Sequence, residues 1–220
     1  MDVSFATTAF APVVLGFFGL GTGYLIYGPQ ELFRFPGRSP AVDRATGVWG
    51  IWMPGFCQFV TGVYLFVALT LFQSLKDPAL YTAALAFSAY GIHWFALGWN
   101  RYQGNDVRPT GFMAIPFTII SVLGIIVFFD ASVWPVGLLF IGLTGVYVSE
   151  FLASFEIGVR TRTRTPAPTP SGEGGAQAPE PNNPGERMLG FFHIVTGLWL
   201  MYLMFATTLD ISLGWTLPHG

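Results

Sequence analysis

The chain has 220 residues, of which 52% are apolar, 17% are aromatic and only 10% are charged. This composition excludes an ordinary soluble domain and indicates an integral membrane protein, so the lipid bilayer is the first partner we expect. A formal net charge of −2 gives no reason to expect a nucleic-acid partner.

Six apolar stretches are long enough to cross roughly 30 Å of hydrocarbon. Numbered as spans one to six, they are Phe10–Tyr27, Gly47–Gln73, Ala79–Trp99, Gly111–Phe129, Val133–Phe155 and Met188–Leu209. Unpaired backbone amides are costly in lipid, and none of the stretches alternates as a barrel strand does. The predicted fold is therefore all-α, a bundle of six transmembrane helices. Because no basic flank precedes span one, we expect no cleavable signal and a retained first span.

The basic residues predict the orientation in the cytoplasmic membrane. Apart from Lys76, all of them follow spans one, three or five: Arg34, Arg38, Arg44, Arg101, Arg108, Arg160, Arg162, Arg164 and Arg187. Since basic loops stay in the cytoplasm, these loops are predicted to be cytoplasmic and both termini extracytoplasmic.

Segment 160–186 differs in composition from the rest of the chain. It is rich in Thr, Pro and Gly and has no apolar face to bury, so it is predicted to be a disordered cytoplasmic linker. The linker separates spans one to five, within 1–159, from span six and a short tail, within 187–220.

Two short segments suggest an internal repeat. Val60–Tyr64 in span two resembles Leu143–Tyr147 in span five, which are the positions that a three-plus-three inverted repeat requires. Membrane sequences draw on few residue types, so chance similarity explains the pair equally well.

The residues that could line a solute pathway form stripes on spans two and three. Tyr90, His93 and Trp94 share one helical face of span three, and Gln58 and Thr61 share one face of span two. Such faces suit a narrow lumen that replaces the water around a small polar solute with a few hydrogen bonds. Polar contacts between packed helices are the alternative interpretation.

Glu150 in span five and His193 in span six are ionisable groups within apolar runs, and such groups are functional candidates by default. Either could sense protons and tune opening with pH, because imidazole titrates near neutrality. Each also lies near the end of its span, where its side chain could reach interfacial water instead.

No Lys or Arg lies within the predicted spans, so a pathway should prefer solutes that cross uncharged, such as urea, a short amide or a protonated short carboxylic acid. Pro12, which opens span one, is the one place where a helix N-terminus could meet a carboxylate. The histidines have no metal-ligand spacing, and Cys57 suits packing. We therefore expect no enzyme, no metal and no cofactor.

Several motifs carry a family resemblance. Pro36–Val42 and the pattern Asn100-x-x-x-Gly104-x-Asp106-x-Arg108-Pro109 resemble the proton-gated urea channel and amide channel family. Three other motifs resemble the related acetate and succinate uptake family. The first is Pro12-x-x-Leu15-Gly16-x-x-Gly19-x-Gly21. The second is Gly50–Trp52, followed by Gly55-x-x-Gln58 and Gly62, and the third is Tyr90-Gly91-x-x-Trp94.

The resemblance implies a pore within each protomer and a homo-oligomer, a ring of six in the related channels. It adds Pro12 and Leu15 to the pore-lining candidates. The chain departs from both branches. Ala11–Val14 replaces the Asn-Pro-Ala-Pro that begins the acetate signature, and Ile141, Thr144 and Val148 stand where the urea channel has repeated tryptophans.

We therefore predict a channel or facilitator for a small polar solute that crosses uncharged, such as urea or a short amide, with gating by pH. A proton-linked uptake transporter for acetate or another short carboxylate is the first alternative. A membrane scaffold subunit that transports nothing is the second.

Overall fold

A computed structural model describes residues 13–158 and 183–218. The described residues form six helices, labelled α1 to α6 in chain order: Val13–Phe33, Pro40–Thr70, Ala79–Gln103, Arg108–Asp130, Trp134–Ser154 and Pro184–Leu213. Helices α2 to α6 are each long and apolar enough to cross a membrane. Helix α1 contains several glycines and has Pro29, Gln30 and Glu31 in its last two turns. The predicted all-α bundle of membrane helices is confirmed, and the internal repeat stays a prediction.

The helices form a closed ring. Within the described residues, each helix packs against the next along the chain, and α6 returns to pack along α1. Short turns make neighbours of consecutive helices, since only three residues separate α4 from α5. A ring closed in this way has an interior that side chains from all six helices can line.

Glycines allow several helices of the ring to approach closely. A side chain at Gly98 of α3 would collide with the carbonyl oxygen of Gly47 in α2. Where α6 packs along α1, a side chain at Gly190 of α6 would collide with the backbone of α1, and Gly197 also faces α1. Small residues at these crossings bring the backbones together, which is how membrane helices gain packing energy.

Helix α2 contains a π-helical turn, Ile51–Phe56, between α-helical Pro40–Gly50 and Cys57–Thr70. Pro54 lies inside this turn and has no N–H to donate, so the wider turn accommodates it. Its ring packs where a side chain at Gly23 of α1 would otherwise lie. The turn ends two residues before Gln58.

The polar motif after span three, Asn100 to Pro109, contains the C-terminus of α3 and the N-terminus of α4. Gly104 has φ 71° and ends α3, and Asn105 donates its backbone N–H to the Asn100 carbonyl at 2.9 Å. Asp106 accepts the backbone N–H of Arg108 at 2.9 Å, at the start of α4. Side-chain and backbone hydrogen bonds from Arg108 lower the pKa of Asp106 to about 2. These residues shape the turn between α3 and α4.

Candidate functional site

A cavity of about 360 Å³ lies at the end of the bundle where α1 begins and α6 ends. We call it the Gln58 cavity. Most of its lining is apolar and comes from all six helices, including Phe17, Gln58, Phe87, Phe128, Phe140 and Leu200. Its polar side chains are few, as is usual for pockets that hold small organic molecules.

Gln58 carries an unsatisfied amide in this cavity. Its side chain is completely buried, yet neither its nitrogen nor its oxygen has a hydrogen-bond partner among the residues that the structure describes. Leaving a buried polar group unpaired costs about 1–3 kcal/mol, so such a group calls for an explanation. An amide that offers one donor and one acceptor to a cavity can bind a polar solute there.

A second cavity, of about 430 Å³, lies at the opposite end, where α1 ends and α6 begins. We call it the Glu150 cavity. Its lining is strongly polar, with five carboxyl side chains against two guanidinium groups: Glu31, Asp43, Glu150, Glu156 and Glu186, and Arg38 and Arg101. The excess of carboxyl groups disfavours a solute that carries negative charge.

Two imidazole groups approach carboxyl groups near the inner part of the Glu150 cavity. His193 Nδ1 lies 2.6 Å from Glu31 Oε2, a buried contact that joins α6 to α1. His93 Nε2 lies 3.9 Å from Glu150 Oε1, and its Nδ1 lies 3.0 Å from the sulfur of Met113. These groups are the ones among the described residues best suited to hold or pass a proton inside the bundle.

An aromatic layer separates the two cavities. It consists of Tyr24, Tyr90, His93, Trp94 and Tyr147, all buried. Their rings form a continuous series of contacts, with centroids 5.3 Å apart for Tyr90–Tyr147, 5.8 Å for Tyr147–His93, 5.9 Å for His93–Trp94 and 5.9 Å for Trp94–Tyr24. Tyr90 lines the Gln58 cavity, whereas His193, whose ring is 4.4 Å from Tyr24, lines the Glu150 cavity.

The aromatic layer also holds polar atoms. Tyr24 Oη and Trp94 Nε1 are buried and have no hydrogen-bond partner within residues 13–158 and 183–218. Tyr90 Oη, in contrast, lies 2.9 Å from Ser121 Oγ. A narrow passage with a few unpaired polar atoms can exchange hydrogen bonds with a solute that has lost its water.

The helices contain four arginines that lie outside the predicted spans: Arg44 in α2, Arg101 in α3, Arg108 in α4 and Arg187 in α6. Helix α3 continues one turn beyond the predicted end of span three, so Arg101 lies within it. Its Nε donates to Asp43 Oδ1 at 3.1 Å, its guanidinium also bonds Gln30, and it lies 4.6 Å over the Tyr27 ring. The aromatic layer itself contains no Lys or Arg.

The structure brings most of the predicted site residues together. Gln58 and Tyr90 line one cavity, Glu150 and His193 line the other, and the layer between them contains His93 and Trp94.

Three further predicted residues are placed elsewhere. Thr61 is buried and donates to the Cys57 carbonyl at 2.8 Å, and it lines neither cavity. Leu15 is 40% exposed and lies on the outer surface of the bundle beside α6. Pro12 and most of the predicted linker lie outside the described residues.

Sequence reasoning missed Tyr24, Glu31 and Tyr147. Tyr24, Tyr27 and Glu31 share a helical face, but the predicted span one ended at Tyr27, which left Glu31 in a loop. Tyr147 was noted only as part of the possible repeat. Extending span one by one more turn along the face of Tyr24 and Tyr27 would have placed Glu31 on that face.

Comparison with known proteins supports the fold. No protein-family model matches the chain, and no curated protein matches it. Among solved structures, the structure of the bacterial acetate channel SatP superimposes with a TM-score of 0.68 over 97% of this chain and 100% of that chain, at 15% identity. The chain therefore has the fold of that channel.

Proposed function

We propose that this protein is a membrane channel that lets a small polar solute cross in its uncharged form. The main support is the arrangement of two cavities at opposite ends of a closed ring of six helices, with the aromatic layer between them. A solute moving along this line meets the Gln58 amide, then the aromatic layer, then the Glu150 cavity.

The chemistry of the pathway supports a neutral solute. An anion would lose its water at the apolar walls of the Gln58 cavity and would find no Lys or Arg in the aromatic layer. Beyond the layer it would meet the carboxyl groups of the Glu150 cavity. A short carboxylic acid that crosses in its protonated form avoids these costs, and the likeness to an acetate channel supports that class.

A short amide or urea is the second candidate. The unpaired Gln58 amide favours it, because an amide donor and acceptor side by side complement another amide as well as they complement a carboxylic acid. In either case the protein works in the cytoplasmic membrane with the Glu150 cavity facing the cytoplasm, and protomers assemble into a ring.

The test is solute flux in proteoliposomes measured by light scattering, with acetic acid, acetamide and urea at two pH values. We expect at least one solute to enter faster than into protein-free liposomes. If the carboxylic acid is the solute, its entry falls as pH rises, in proportion to its protonated fraction, whereas entry of an amide depends on pH only through gating. No increase for any of the three contradicts the proposal and favours a scaffold subunit.

A further inference from the structure

A third pocket lies on the surface between the start of α2 and the end of α3. We call it the Arg44 pocket. It has a volume of about 450 Å³, and the side chains that define it are Arg38, Ser39, Asp43, Arg44, Arg101 and Tyr102. Arg38, Asp43 and Arg101 also line the Glu150 cavity, whereas Arg44 and Tyr102 do not.

The Arg44 pocket carries an excess of positive charge. Arg38 Nε and Arg101 Nε share one acceptor, Asp43 Oδ1, at 3.2 and 3.1 Å. Glu186 of α6 approaches Arg38 at 3.8 Å from outside the pocket. Arg44 is exposed and makes neither an ion pair nor a hydrogen bond with any residue that the structure describes. Three guanidinium groups therefore face two carboxyl groups, and the uncompensated charge is on Arg44.

The backbone adds to this potential. Helix α2 begins at the pocket, with Ser39 Oγ accepting the Val42 N–H at 3.2 Å and Pro40 in the first turn. The start of a long helix carries a partial positive charge that attracts anions. The arginines and the helix start thus favour the same ligand, an oxyanion.

The surface next to the pocket places it at the level of lipid headgroups. Trp99 and Tyr102 of α3 stack with centroids 5.8 Å apart and are 54% and 39% exposed. Exposed Trp and Tyr mark the interface between hydrocarbon and water. Two turns earlier on the same face of α3, Ile92 is exposed, so the outer surface changes from aliphatic to aromatic and then to the basic pocket.

We infer that the Arg44 pocket binds the phosphate of an anionic phospholipid headgroup, whose acyl chains lie along α3 past Trp99 towards Ile92. A lipid fits this surface better than a soluble phosphate compound, because the pocket continues into an apolar, outward-facing surface. The inference stands independently of the solute that the channel carries.

Native mass spectrometry of the full chain in detergent tests the inference. The protein is titrated with phosphatidylglycerol or with phosphatidylcholine of identical acyl chains, and separately with inorganic phosphate. We expect phosphatidylglycerol to bind more tightly than phosphatidylcholine, and Arg44→Gln to weaken its binding about fivefold, the effect of one interfacial cation. Since Arg44 is exposed and unpaired, this variant should fold as the wild type does.

Arg108→Gln is the matched control, because Arg108 lies at the same end of the bundle, is exposed and is paired with Asp106. It should leave phosphatidylglycerol binding unchanged. Equal losses in both variants would mean attraction to general surface charge and would overturn the site. Equal binding of both lipids, or inorganic phosphate that displaces phosphatidylglycerol at comparable concentration, would overturn the assignment to an anionic lipid.

Discussion

At the scale of single residues, Gln58 and Gln30 are two buried amides with opposite roles. Gln30 donates to Thr46 Oγ1 at 2.9 Å and accepts from Arg101, so both its nitrogen and its oxygen have a partner within the protein. Gln58 has no such partner among the described residues. The contrast separates an amide that stabilises the fold from one that is available to a solute.

We therefore predict that the same substitution has opposite effects at the two positions. Gln58→Leu should leave thermal stability in detergent unchanged or higher, because no hydrogen bond is lost, and should slow solute flux. Gln30→Leu should lower stability by about 1–3 kcal/mol, because Thr46 and Arg101 lose a buried partner. Loss of stability in Gln58→Leu without loss of flux would show that its amide is structural.

Sequence patterns within one helix indicate which side chains share a face. The spacing of Tyr90, His93 and Trp94 predicted a common face on span three, and Gln58 was a candidate because an amide is rare in an apolar run. Their role in a solute pathway stays a prediction. The sequence could not pair Glu31 with His193, since 162 residues separate them and only the ring closure brings them together. Leu15 came from a motif resemblance, and no local pattern indicated its outward position.

At the scale of helices, the contact between α1 and α6 closes the ring, and the Glu31–His193 pair lies within it. Both side chains are nearly buried, and the pair is the one described contact between an acidic and a basic side chain that joins these two helices. It therefore contributes both to closure of the ring and to the wall of the Glu150 cavity.

We predict that His193→Phe lowers the free energy of unfolding by about 1–3 kcal/mol, because the Glu31 carboxyl loses its buried donor. The double variant Glu31→Leu, His193→Phe should recover most of this loss, because neither polar group remains unpaired. The test is a double-mutant cycle, in which thermal unfolding is measured for His193→Phe, for Glu31→Leu and for the double variant. Losses that simply add would mean that the two groups are not coupled.

At the same scale, two prolines inside helices have different effects on the backbone. Pro54 lies in the π-helical turn of α2, with its ring packed against Gly23 of α1. Pro116 lies inside α4, which continues through it without a break. A proline removes one hydrogen bond in either case, and the neighbouring helix decides how the backbone responds.

At the scale of the whole molecule, composition and hydropathy predicted a bundle of six helices, and five of the six described helices are long and apolar enough to cross a membrane. The order of those helices around a closed ring, and the division of the interior into two cavities, depend on tertiary contacts that no single segment encodes. The central claim is that solute moves through both cavities and the layer between them.

Thiol labelling during flux measurement tests that claim most directly. Cys57 is the chain's one cysteine, so Cys57→Ser provides a background without thiols. Single cysteines are then placed at Ala83 in the Gln58 cavity, at Ala153 in the Glu150 cavity, and at Ile119, which is exposed on the outer surface of α4. A bulky, positively charged methanethiosulfonate reagent is applied to proteoliposomes while acetamide and acetic acid entry is recorded.

The account predicts that modification at Ala83 and at Ala153 each slows entry of the transported solute severalfold, whereas modification at Ile119 leaves it unchanged. Unchanged entry after complete modification at both cavity positions would contradict the account, because solute would then be crossing somewhere other than through the two cavities.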